Sequence, residues 1–256
     1  MTEPGAGSDA AGMSTTVRRT ADGYILDGEK CFITNASYAD FFVVLAKHPE
    51  LGDSRSFTAL VVDRHLDGVS VGPKEKKMGL RASDTASVMF QQVKVPAENL
   101  IGQEGDGFRI FMKAMSYGRP IVGAQAVGVA QGAYELALEY SKMRKQFGKP
   151  ISHFQGIKFM LADMAMNIEA ARLLVYQSAF LLQQGQPSLK HASFAKCFAS
   201  DTAMKVAADA VQIFGGYGFM RDYLVEKFMR DAKIMQIYEG TNQIQRLVIA
   251  KQILSE

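Results

Sequence analysis

The stretch Gly102-Gln103-Glu104-Gly105-Asp106-Gly107 separates two halves of the chain whose hydrophobic patterns differ. Before it, apolar residues alternate in short runs rich in β-branched and aromatic side chains, as in half-buried strands. After it, apolar residues recur every three or four positions over long stretches, as on one face of a helix. The change of period predicts an α+β protein, with a β domain over residues 1–104 and an all-α helical bundle domain over residues 105–256.

Short runs with strand character fill the first half, at residues 24–26, 31–34, 41–46, 57–62, 69–71 and 87–95. Three Asp-Gly pairs, which favour tight turns between antiparallel strands, interrupt them: Asp22-Gly23, Asp27-Gly28 and Asp67-Gly68. Pro96 is expected to close the last strand because it has no N–H to donate to a neighbouring strand. The first half is therefore predicted to be antiparallel β.

The second half contains five stretches with helical periodicity, near residues 107–144, 153–184, 189–214 and 222–236 and from 241 onward. They are long enough to pack as a bundle. Before the last one, Gly240 allows the backbone to pass close to a ligand, and Thr241 is the expected N-cap. Glu239 is therefore expected to project from a helix entrance, which makes it the candidate catalytic base.

Composition excludes several classes of function. With 256 residues, 48% apolar and 21% charged, the chain is expected to be globular and soluble, and its net charge of +3 is too scattered to favour nucleic acid. Cys31, Cys197 and the four histidines match no metal-ligand spacing, so we expect no metal and a reducing compartment. No apolar run reaches the ~18 residues of a membrane helix, and no signal peptide is expected.

Three glycine clusters are candidates for phosphate binding. Residues 102–107 have the spacing GxxGxG without a βαβ context, which favours a domain-joining turn over a nucleotide site. Gly215-Gly216 follows a helical stretch and is either a helix C-cap or a run of exposed N–H groups for an anion. The role of the opening loop Glu3-Pro4-Gly5-Ala6-Gly7-Ser8-Asp9 is also undecided between a phosphate site and an ordinary turn, because turn chemistry explains each of its residues.

Taken together, these segments resemble the acyl-CoA dehydrogenase family, flavoproteins that oxidise acyl-CoA thioesters to trans-2-enoyl-CoA. Thr2-Glu3-Pro4-Gly5-Ala6-Gly7-Ser8-Asp9 resembles the family's first motif. Gln212 through Gly215-Gly216-Tyr217-Gly218-Phe219, with Asp222, Lys227 and Asp231, resembles its second. Further matching motifs fall in the family's order: Phe32-Ile33-Thr34-Asn35, Arg144-Lys145-Gln146-Phe147-Gly148-Lys149 and Tyr238-Glu239-Gly240-Thr241. The resemblance covers essentially the whole chain.

The resemblance implies a barrel-like antiparallel β domain followed by a helical bundle. It also implies a helical N-terminal domain of roughly a hundred residues before the first motif, which this sequence lacks. We therefore expect a truncated chain, a partial gene product or a reduced relative. Part of the substrate cavity would come from the missing domain, so the acyl chain length stays open.

The family's reaction removes a proton alpha to the thioester carbonyl while a hydride leaves the beta carbon, so base and flavin flank the acyl chain. The resemblance implies Glu239 as the base and FAD N5 as the hydride acceptor. Hydrogen bonds to the thioester oxygen would come from the backbone N–H of the base and a flavin ribityl hydroxyl. Some relatives carry the base on the first long helix, immediately before an Arg. Here that position is Gly118, before Arg119, so the alternative base is missing.

Carried over residue by residue, the resemblance implies FAD contacts in both halves. Those of the β half are Thr2, Gly5, Gly7, Ser8, Phe32, Ile33 and Thr34. Those of the helical half are Arg144, Gln146, Phe147, Gln155, Gln212, Gly215, Gly216, Thr241 and Gln243. Arg144, Gln146 and Phe147 would reach the FAD of a neighbouring subunit, while residues 212–216 would cradle its diphosphate or adenosine part. Phe32 replaces the commoner Trp and keeps an aromatic face for the flavin.

The implied substrate contacts are Ser8, Ser116, Arg119, Tyr238 and Gly240, with residues 116–119 along the CoA moiety. From the residues alone, Phe147 as a core side chain and Arg144 as a solvated charge at a helix end remain alternatives.

The leading hypothesis is an FAD-dependent dehydrogenase of short- or medium-chain acyl-CoA in fatty acid β-oxidation. It would pass electrons to an electron-transferring flavoprotein. A cofactor shared between subunits implies a homodimer or homotetramer, in the cytoplasm or the mitochondrial matrix. One alternative is an acyl-CoA oxidase that uses oxygen. The other is a truncated, non-catalytic module that oligomerises through its bundle.

Overall fold

The first half of the chain forms a seven-stranded sheet and the second half five α-helices in the computed structural model, which describes residues 1–52 and 57–255. By its internal contacts the chain divides into two units. The β unit comprises Met1–Lys77 and Arg81–Ala114, and the helical unit comprises Met78–Leu80 and Met115–Glu256. The predicted α+β class is confirmed.

The strands are β1 (Thr16–Thr20), β2 (Gly23–Thr34), β3 (Phe41–Lys47), β4 (Phe57–Asp63), β5 (Val69–Val71), β6 (Thr85–Pro96) and β7 (Leu100–Ile101). Their order in the sheet is β5-β6-β2-β1-β3-β4-β7. All neighbours pair antiparallel except β1 and β3, which run parallel where Thr16 meets Lys47. The sheet is thus mixed at one pair, and its order does not close on itself.

Strand β2 differs from its prediction. Residues 24–26 and 31–34 belong to one strand, and Asp27-Gly28 is a bulge in its pairing with β6 rather than a turn. Gly28 has φ +143, and a Cβ there would lie 2.5 Å from Thr15 Oγ1. The glycine therefore allows the backbone of β2 to approach Thr15, the residue before β1, closely.

Other turn predictions in the β unit are confirmed. Asp22-Gly23 ends the hairpin between β1 and β2, in which Thr20 pairs with Gly23. The pair at 67–68 is a turn, and Pro96 is the last residue of β6. Strand β1 carries no clear alternation in the sequence, because Arg18 and Arg19 are two consecutive exposed residues that interrupt its apolar pattern; it was not predicted.

The core of the β unit follows the alternation of its strands. Its fully buried side chains include Val17, Leu26, Leu60, Val62 and Val93. A second cluster joins the opening loop to the first two turns of α1. Its buried members are Ala6, Met13, Leu45, Phe57 and Ala59, and the partly buried Met1, Ile101, Phe108 and Phe111 pack against them.

The helices are α1 (Gly107–Met143), α2 (Gln155–Gln183), α3 (Leu189–Phe214), α4 (Leu224–Met235) and α5 (Asn242–Ile253). A short hairpin of β8 (Lys145–Gln146) and β9 (Lys149–Pro150) joins α1 to α2. The predicted helical stretches agree with these bounds to within about two residues at each end. Of the helices in the described residues, none combines the length and hydropathy of a membrane-spanning segment.

Small residues dominate the core of the helical unit. On α3 the buried alanines are Ala192, Ala195, Ala199, Ala203, Ala207 and Ala210. A Cβ at Gly123 of α1 would lie 2.9 Å from Val175 Cγ2 of α2. These helices therefore pack with their backbones close together, which places side chains from several helices around α3 within reach of one another.

Candidate active site

The turn between α4 and α5 carries the candidate base. Glu239 has φ 57 and Gly240 has φ 86, so two consecutive residues adopt the left-handed conformation. Thr241 Oγ1 accepts the N–H of Ile244 at 3.2 Å, which confirms Thr241 as the N-cap of α5. The half-buried Glu239 side chain lies at this helix entrance.

Two fully buried side chains hold the carbonyls of this turn. Gln245 Nε2 donates to Glu239 O at 3.0 Å and to Gly240 O at 2.8 Å. Lys196 Nζ, from α3, donates to Gly240 O and to Asn242 Oδ1, both at 2.8 Å. Lys196 and Gln245 each have 0% relative exposure. The backbone of this turn is therefore held by the side-chain amide of Gln245 and the amine of Lys196.

A hydrogen-bond network continues from Asn242 to the surface. Asn242 Nδ2 donates to Asp201 Oδ1 at 2.7 Å and to Ser200 Oγ at 2.9 Å. Asp201 also accepts from Gln236 Nε2 and Arg246 Nη2, both at 2.7 Å. Burial alone would raise the pKa of Asp201, but these three donors together hold that pKa below its usual value. The start of α5 is thus tied to α3.

Gly118 of α1 faces the carboxylate of Glu239. A Cβ at Gly118 would lie 3.3 Å from Glu239 Oε2. The next residue, Arg119, is 3% exposed, and its Nη1 donates to Ser193 Oγ at 3.3 Å. Burial lowers the pKa of Arg119, whereas the negative charge of Glu239 acts in the opposite direction. A buried cation therefore lies beside the candidate base.

The predicted substrate residues of the helical unit lie around this turn. Ser116 is buried one helical turn before Arg119 on α1. Tyr238 Oη donates to Gln125 Oε1 at 2.5 Å, which links the residue before Glu239 to α1. Gly240 is the second residue of the left-handed pair. The structure thus brings Arg119, Tyr238 and Gly240 together with Glu239, whereas Ser116 lies one turn away on α1 and Ser8 belongs to the β unit.

A second site in the helical unit is a pocket of about 460 Å³. Four predicted cofactor residues line it: Arg144, Gln146, Gly215 and Gly216. The guanidinium carbon of Arg144 lies 5.3 Å from the centroid of the Tyr217 ring. Arg144 thus directly follows the end of α1, where it is half-buried and lies over the Tyr217 ring.

The two glycines of this pocket differ in their roles. Gly215, with φ +61, caps α3 by donating its N–H to the carbonyls of Gln212 and Val211. Its own N–H is therefore used within the chain, as the C-cap interpretation requires. A Cβ at Gly215 or Gly216 would meet no atom within 4 Å, so both glycines border open space.

The other predicted cofactor residues of the helical unit lie outside the lining of this pocket. Phe147, with φ 52, forms the hairpin turn with Gly148 and is 93% exposed, so the alternative of a core residue is wrong. Gln155, Gln212 and Gln243 are exposed, at the start of α2, the end of α3 and the start of α5.

In the β unit, hydrogen bonds tie the opening loop to β2. Cys31 N donates to Thr2 O at 2.9 Å, and Glu3 and Ala6 exchange backbone hydrogen bonds at 3.0 and 3.1 Å. Beyond this turn Gly5, Gly7 and Ser8 are exposed.

The buried carboxylate of Glu3 fixes this loop. It pairs with Lys30 Nζ at 2.7 Å and accepts the N–H groups of Ser14 at 2.5 Å and Thr15 at 3.0 Å. Burial alone would raise the pKa of Glu3, but Lys30 and the other donors lower that pKa to about 2. The loop is therefore anchored by an ion pair that is almost completely excluded from water.

Phe32 lies at a second irregularity of β2, between Lys30 and Ile33. Its φ of 56 is left-handed, and its ring is 65% exposed. Ile33 and Thr34 resume the pairing with β6. Because Cys31 binds Thr2, the structure brings the opening loop and residues 32–34 together within the β unit.

Three buried residues of the site, Lys196, Asn242 and Gln245, were not predicted from the sequence; they are 0%, 3% and 0% exposed. One signal was available for the lysine, because Lys196 lies on the alanine-rich face of α3, between Ala192 and Ala199. A lysine on a small, apolar helix face is unusual, since lysines are rarely fully buried. Among the residues that the structure describes, no group of three or more His, Cys, Asp or Glu is placed to hold a metal ion.

Comparison with known proteins gives two family matches. The family model for the acyl-CoA dehydrogenase C-terminal domain matches residues 105–254, and that for the middle domain matches residues 1–93. An acyl-CoA dehydrogenase of Bacillus subtilis is 50% identical over 254 residues, which are 99% of this chain and 67% of the relative. The chain spans about two thirds of the length of the curated relatives it matches.

Solved structures agree with these matches. Butyryl-CoA dehydrogenase from Megasphaera elsdenii superposes with a TM-score of 0.96 at 50% identity, covering 99% of this chain and 66% of that one. An acyl-CoA dehydrogenase complexed with FAD from Bacillus anthracis superposes with a TM-score of 0.93 at 38% identity, covering 99% of this chain and 46% of that one. With family models matching both halves and a relative at 50% identity, the chain belongs to the acyl-CoA dehydrogenase family.

Proposed function

We propose that the chain catalyses FAD-dependent α,β-dehydrogenation of short- or medium-chain acyl-CoA, with Glu239 as the base. One observation carries this proposal: a side chain at Gly118 would reach to 3.3 Å from Glu239 Oε2. The two positions at which the resemblance places the family's base thus face one point in the helical unit. Only Glu239 supplies a carboxylate there.

The surroundings of Glu239 suit proton abstraction. Among the residues that the structure describes, no donor hydrogen-bonds to its carboxylate oxygens, so their lone pairs are available to a substrate proton. Its backbone N–H likewise makes no hydrogen bond to an acceptor in the described part of the chain. That N–H is available to the thioester oxygen, where negative charge develops as the α proton leaves.

The pocket beside Gly215 and Gly216 fits the phosphate-bearing part of FAD. Backbone without side chains borders open space there, and Arg144 offers a guanidinium that suits phosphate oxygens. We assign Arg144, Gln146, Phe147, Gln155, Gln212, Thr241 and Gln243 to this end of the cofactor. The opening loop and residues 32–34 are assigned to the flavin end.

When bound, FAD supplies at N5 the acceptor for the hydride that leaves the β carbon. Glu239 takes the α proton, and the electron pair of the broken Cα–H bond forms the new double bond. Arg119 lies beside the carboxylate, and the opposite charges of the two groups attract each other. Ser116, Arg119, Tyr238 and Gly240 are assigned to substrate positioning in the helical unit, and Ser8 in the β unit.

We assign the FAD- and acyl-CoA-binding β domain to residues 1–104 and the helical domain to residues 105–256. The name of the Megasphaera relative favours a short acyl chain. Electron-transferring flavoprotein is the proposed acceptor of the electrons.

A second copy of the chain is the proposed structural partner. Helix α2 exposes one stripe of apolar side chains seven residues apart, and these are Phe159, Met166, Leu173 and Phe180. Each is between 58% and 62% exposed. A seven-residue repeat keeps side chains on one face of a long helix, which suits pairing with the same helix of another copy.

An absorption experiment tests the proposed function. The purified protein, loaded with FAD, is mixed with butanoyl-CoA or octanoyl-CoA without oxygen, and bleaching of the flavin band is followed beside a Glu239→Gln variant. Bleaching in the parent and its loss in the variant support dehydrogenation with Glu239 as base. A parent that binds FAD and does not bleach with either thioester contradicts it. Readmitted oxygen and added electron-transferring flavoprotein then compare the two acceptors, so that rapid reoxidation by oxygen identifies an oxidase.

A further inference from the structure

The backbone that carries Glu239 is strained. Left-handed φ is uncommon for a residue with a Cβ, and Glu239 at φ 57 is followed directly by Gly240 at φ 86. Such a residue persists only where its surroundings fix it, because the conformation is sterically unfavourable. The aim of the Glu239 carboxylate therefore depends on whatever holds these two residues.

Lys196 is the charged member of that support. Its Nζ bonds the carbonyl of Gly240 and the side-chain oxygen of Asn242, both at 2.8 Å. Both acceptors are neutral, and the residue is completely buried. A buried ammonium without a carboxylate at hydrogen-bond distance is costly to a fold, so stability does not explain why a lysine stands here.

The charged and titratable groups around the amine come from four elements. Arg119 of α1 repels it, while Glu239 of the turn and Asp201 of α3 attract it. Cys197 adjoins it on α3, and Arg246 of α5 pairs with Asp201 at 2.7 Å. Burial, more than any of these, lowers the pKa of Lys196 to about 8. The amine thus stays largely protonated at neutral pH.

Removal of the amine leaves the carbonyl of Gly240 paired, because Gly240 O keeps its bond from Gln245 Nε2 at 2.8 Å. Asn242 Oδ1 loses the ammonium and lies 3.2 Å from Ser200 Oγ, whose single proton also lies within reach of Lys196 O at 2.7 Å. The turn therefore loses the second of two donors to the carbonyl of Gly240, the residue that follows Glu239.

We propose that Lys196 is a positioning residue for the base: its amine, together with Gln245, locks the left-handed turn and so fixes where the Glu239 carboxylate points. This inference rests on the proposed role of Glu239. The lock itself is a property of the backbone at residues 239–242, and it is measurable without substrate or flavin.

The test compares Lys196→Met with Lys205→Met. Lys205 lies on the same helix, and its amine pairs with Asp209 at the surface, so the control makes the same substitution away from the turn. Three quantities are measured: kcat and KM with butanoyl-CoA, the midpoint of thermal unfolding, and hydrogen exchange at Asn242 and Ile244. The amides of these two residues bond Gln236 O at 3.0 Å and Thr241 Oγ1 at 3.2 Å and so report on the turn.

We expect Lys196→Met to lower kcat about 10- to 100-fold with KM changed less than about threefold, because a small displacement of a catalytic group costs that much. Exchange at Asn242 and Ile244 is expected to rise about tenfold, and the unfolding midpoint to stay or rise. Lys205→Met should change none of these.

Unchanged kcat and unchanged exchange in Lys196→Met overturn the proposal. So does a parallel fall of unfolding midpoint, FAD affinity and kcat, which identifies a structural role only. If the variant does not fold, Gln245→Leu removes the other donor to the turn and is judged by the same measurements. A parent that never bleaches contradicts the role of Glu239, whereas faster exchange in Lys196→Met still supports the lock.

Discussion

Glu239 Oε2 lies 3.3 Å from the position that a Cβ at Gly118 would occupy. The two residues are far apart in sequence, yet one carboxylate placed on either would reach the same point. Because Gly118 has no side chain, the space beside the Glu239 carboxylate stays free; a Cβ at 3.3 Å would be in tight contact with Oε2. The pair therefore defines the point at which the proposed base, Glu239, would act.

This geometry predicts that the base can be moved. Glu239→Gly should lower kcat by about 10³-fold, within the range known for loss of a general base. Adding Gly118→Glu to that variant should recover at least about tenfold, because the new carboxylate reaches the point that Glu239 vacates. The measurement is kcat with butanoyl-CoA. Gly118→Gln in the same background is the matched control, and recovery by Gln as well would contradict a role in proton transfer.

The ion pair of Glu3 and Lys30 predicts that the free energy of unfolding decreases at acidic pH. The folded pKa of Glu3 is lowered from 4.5 to about 2. Its contribution is therefore fully present above the unfolded pKa and is lost as the pH falls from about 4.5 to about 2. Glu3→Gln should remove this dependence and cost about 3–5 kcal/mol at neutral pH, because it leaves Lys30 buried without its partner.

Urea unfolding at several pH values measures this effect. Asp209→Asn breaks the exposed pair with Lys205 in the same manner and should cost less than about 1 kcal/mol. Equal losses in the two variants would mean that burial does not strengthen the pair of Glu3.

Much of the fold was predictable because long periodic segments dominate the helical half. Five amphipathic stretches gave bounds within about two residues of those observed. The bulge at Asp27-Gly28 was not predictable, since the same dipeptide suits a turn or a bulge and only the facing strand β6 decides between them. The parallel pairing of Thr16 with Lys47 depends likewise on tertiary neighbours that alternation does not encode.

The candidate site was predictable only where its residues belong to contiguous motifs. Glu239, Gly240 and Thr241 stand together in sequence, and so do Gly215 and Gly216. The support beneath Glu239 joins Lys196 of α3 to residues of α5, and burial of that lysine follows from how the helices pack. From composition alone, Lys196 would be interpreted as an ordinary exposed lysine.

The lowered pKa of Lys196 predicts that the protein becomes more stable at alkaline pH. Its pKa is lowered from 10.5 to about 8 in the folded protein, so between these values the unfolded chain binds more protons. The free energy of unfolding should therefore increase from about pH 8 to about 10.5 as the folded state loses a buried charge. The difference between parent and Lys196→Met, measured by urea unfolding, isolates this contribution. A difference that falls over that range would contradict it.

Filling the pocket beside Gly216 should weaken FAD binding. Gly216→Leu adds a side chain where a Cβ meets no atom within 4 Å, so the fold should tolerate it while the bulk occupies the space assigned to the cofactor. We expect the dissociation constant for FAD to rise by about tenfold or more, which corresponds to ~1.4 kcal/mol. Flavin fluorescence measures it. Gly128→Leu, at an equally open position on α1, is the control, and equal affinity in both variants would remove the pocket from the FAD site.

The stripe on α2 predicts how copies of the chain associate. Leu173 is 58% exposed in the middle of the seven-residue repeat, so Leu173→Glu places a charge where a second copy is proposed to pack. A buried, unpaired charge is costly, and we expect the dissociation constant of the oligomer to rise by at least about tenfold. Sedimentation equilibrium measures it. Ala179→Glu adds the same charge at an exposed position of α2 that lies about a third of a turn away from the stripe, and it should leave the mass unchanged. If both variants keep the parent's mass, the copies associate through another surface, because a carboxylate on the stripe would then remain in water.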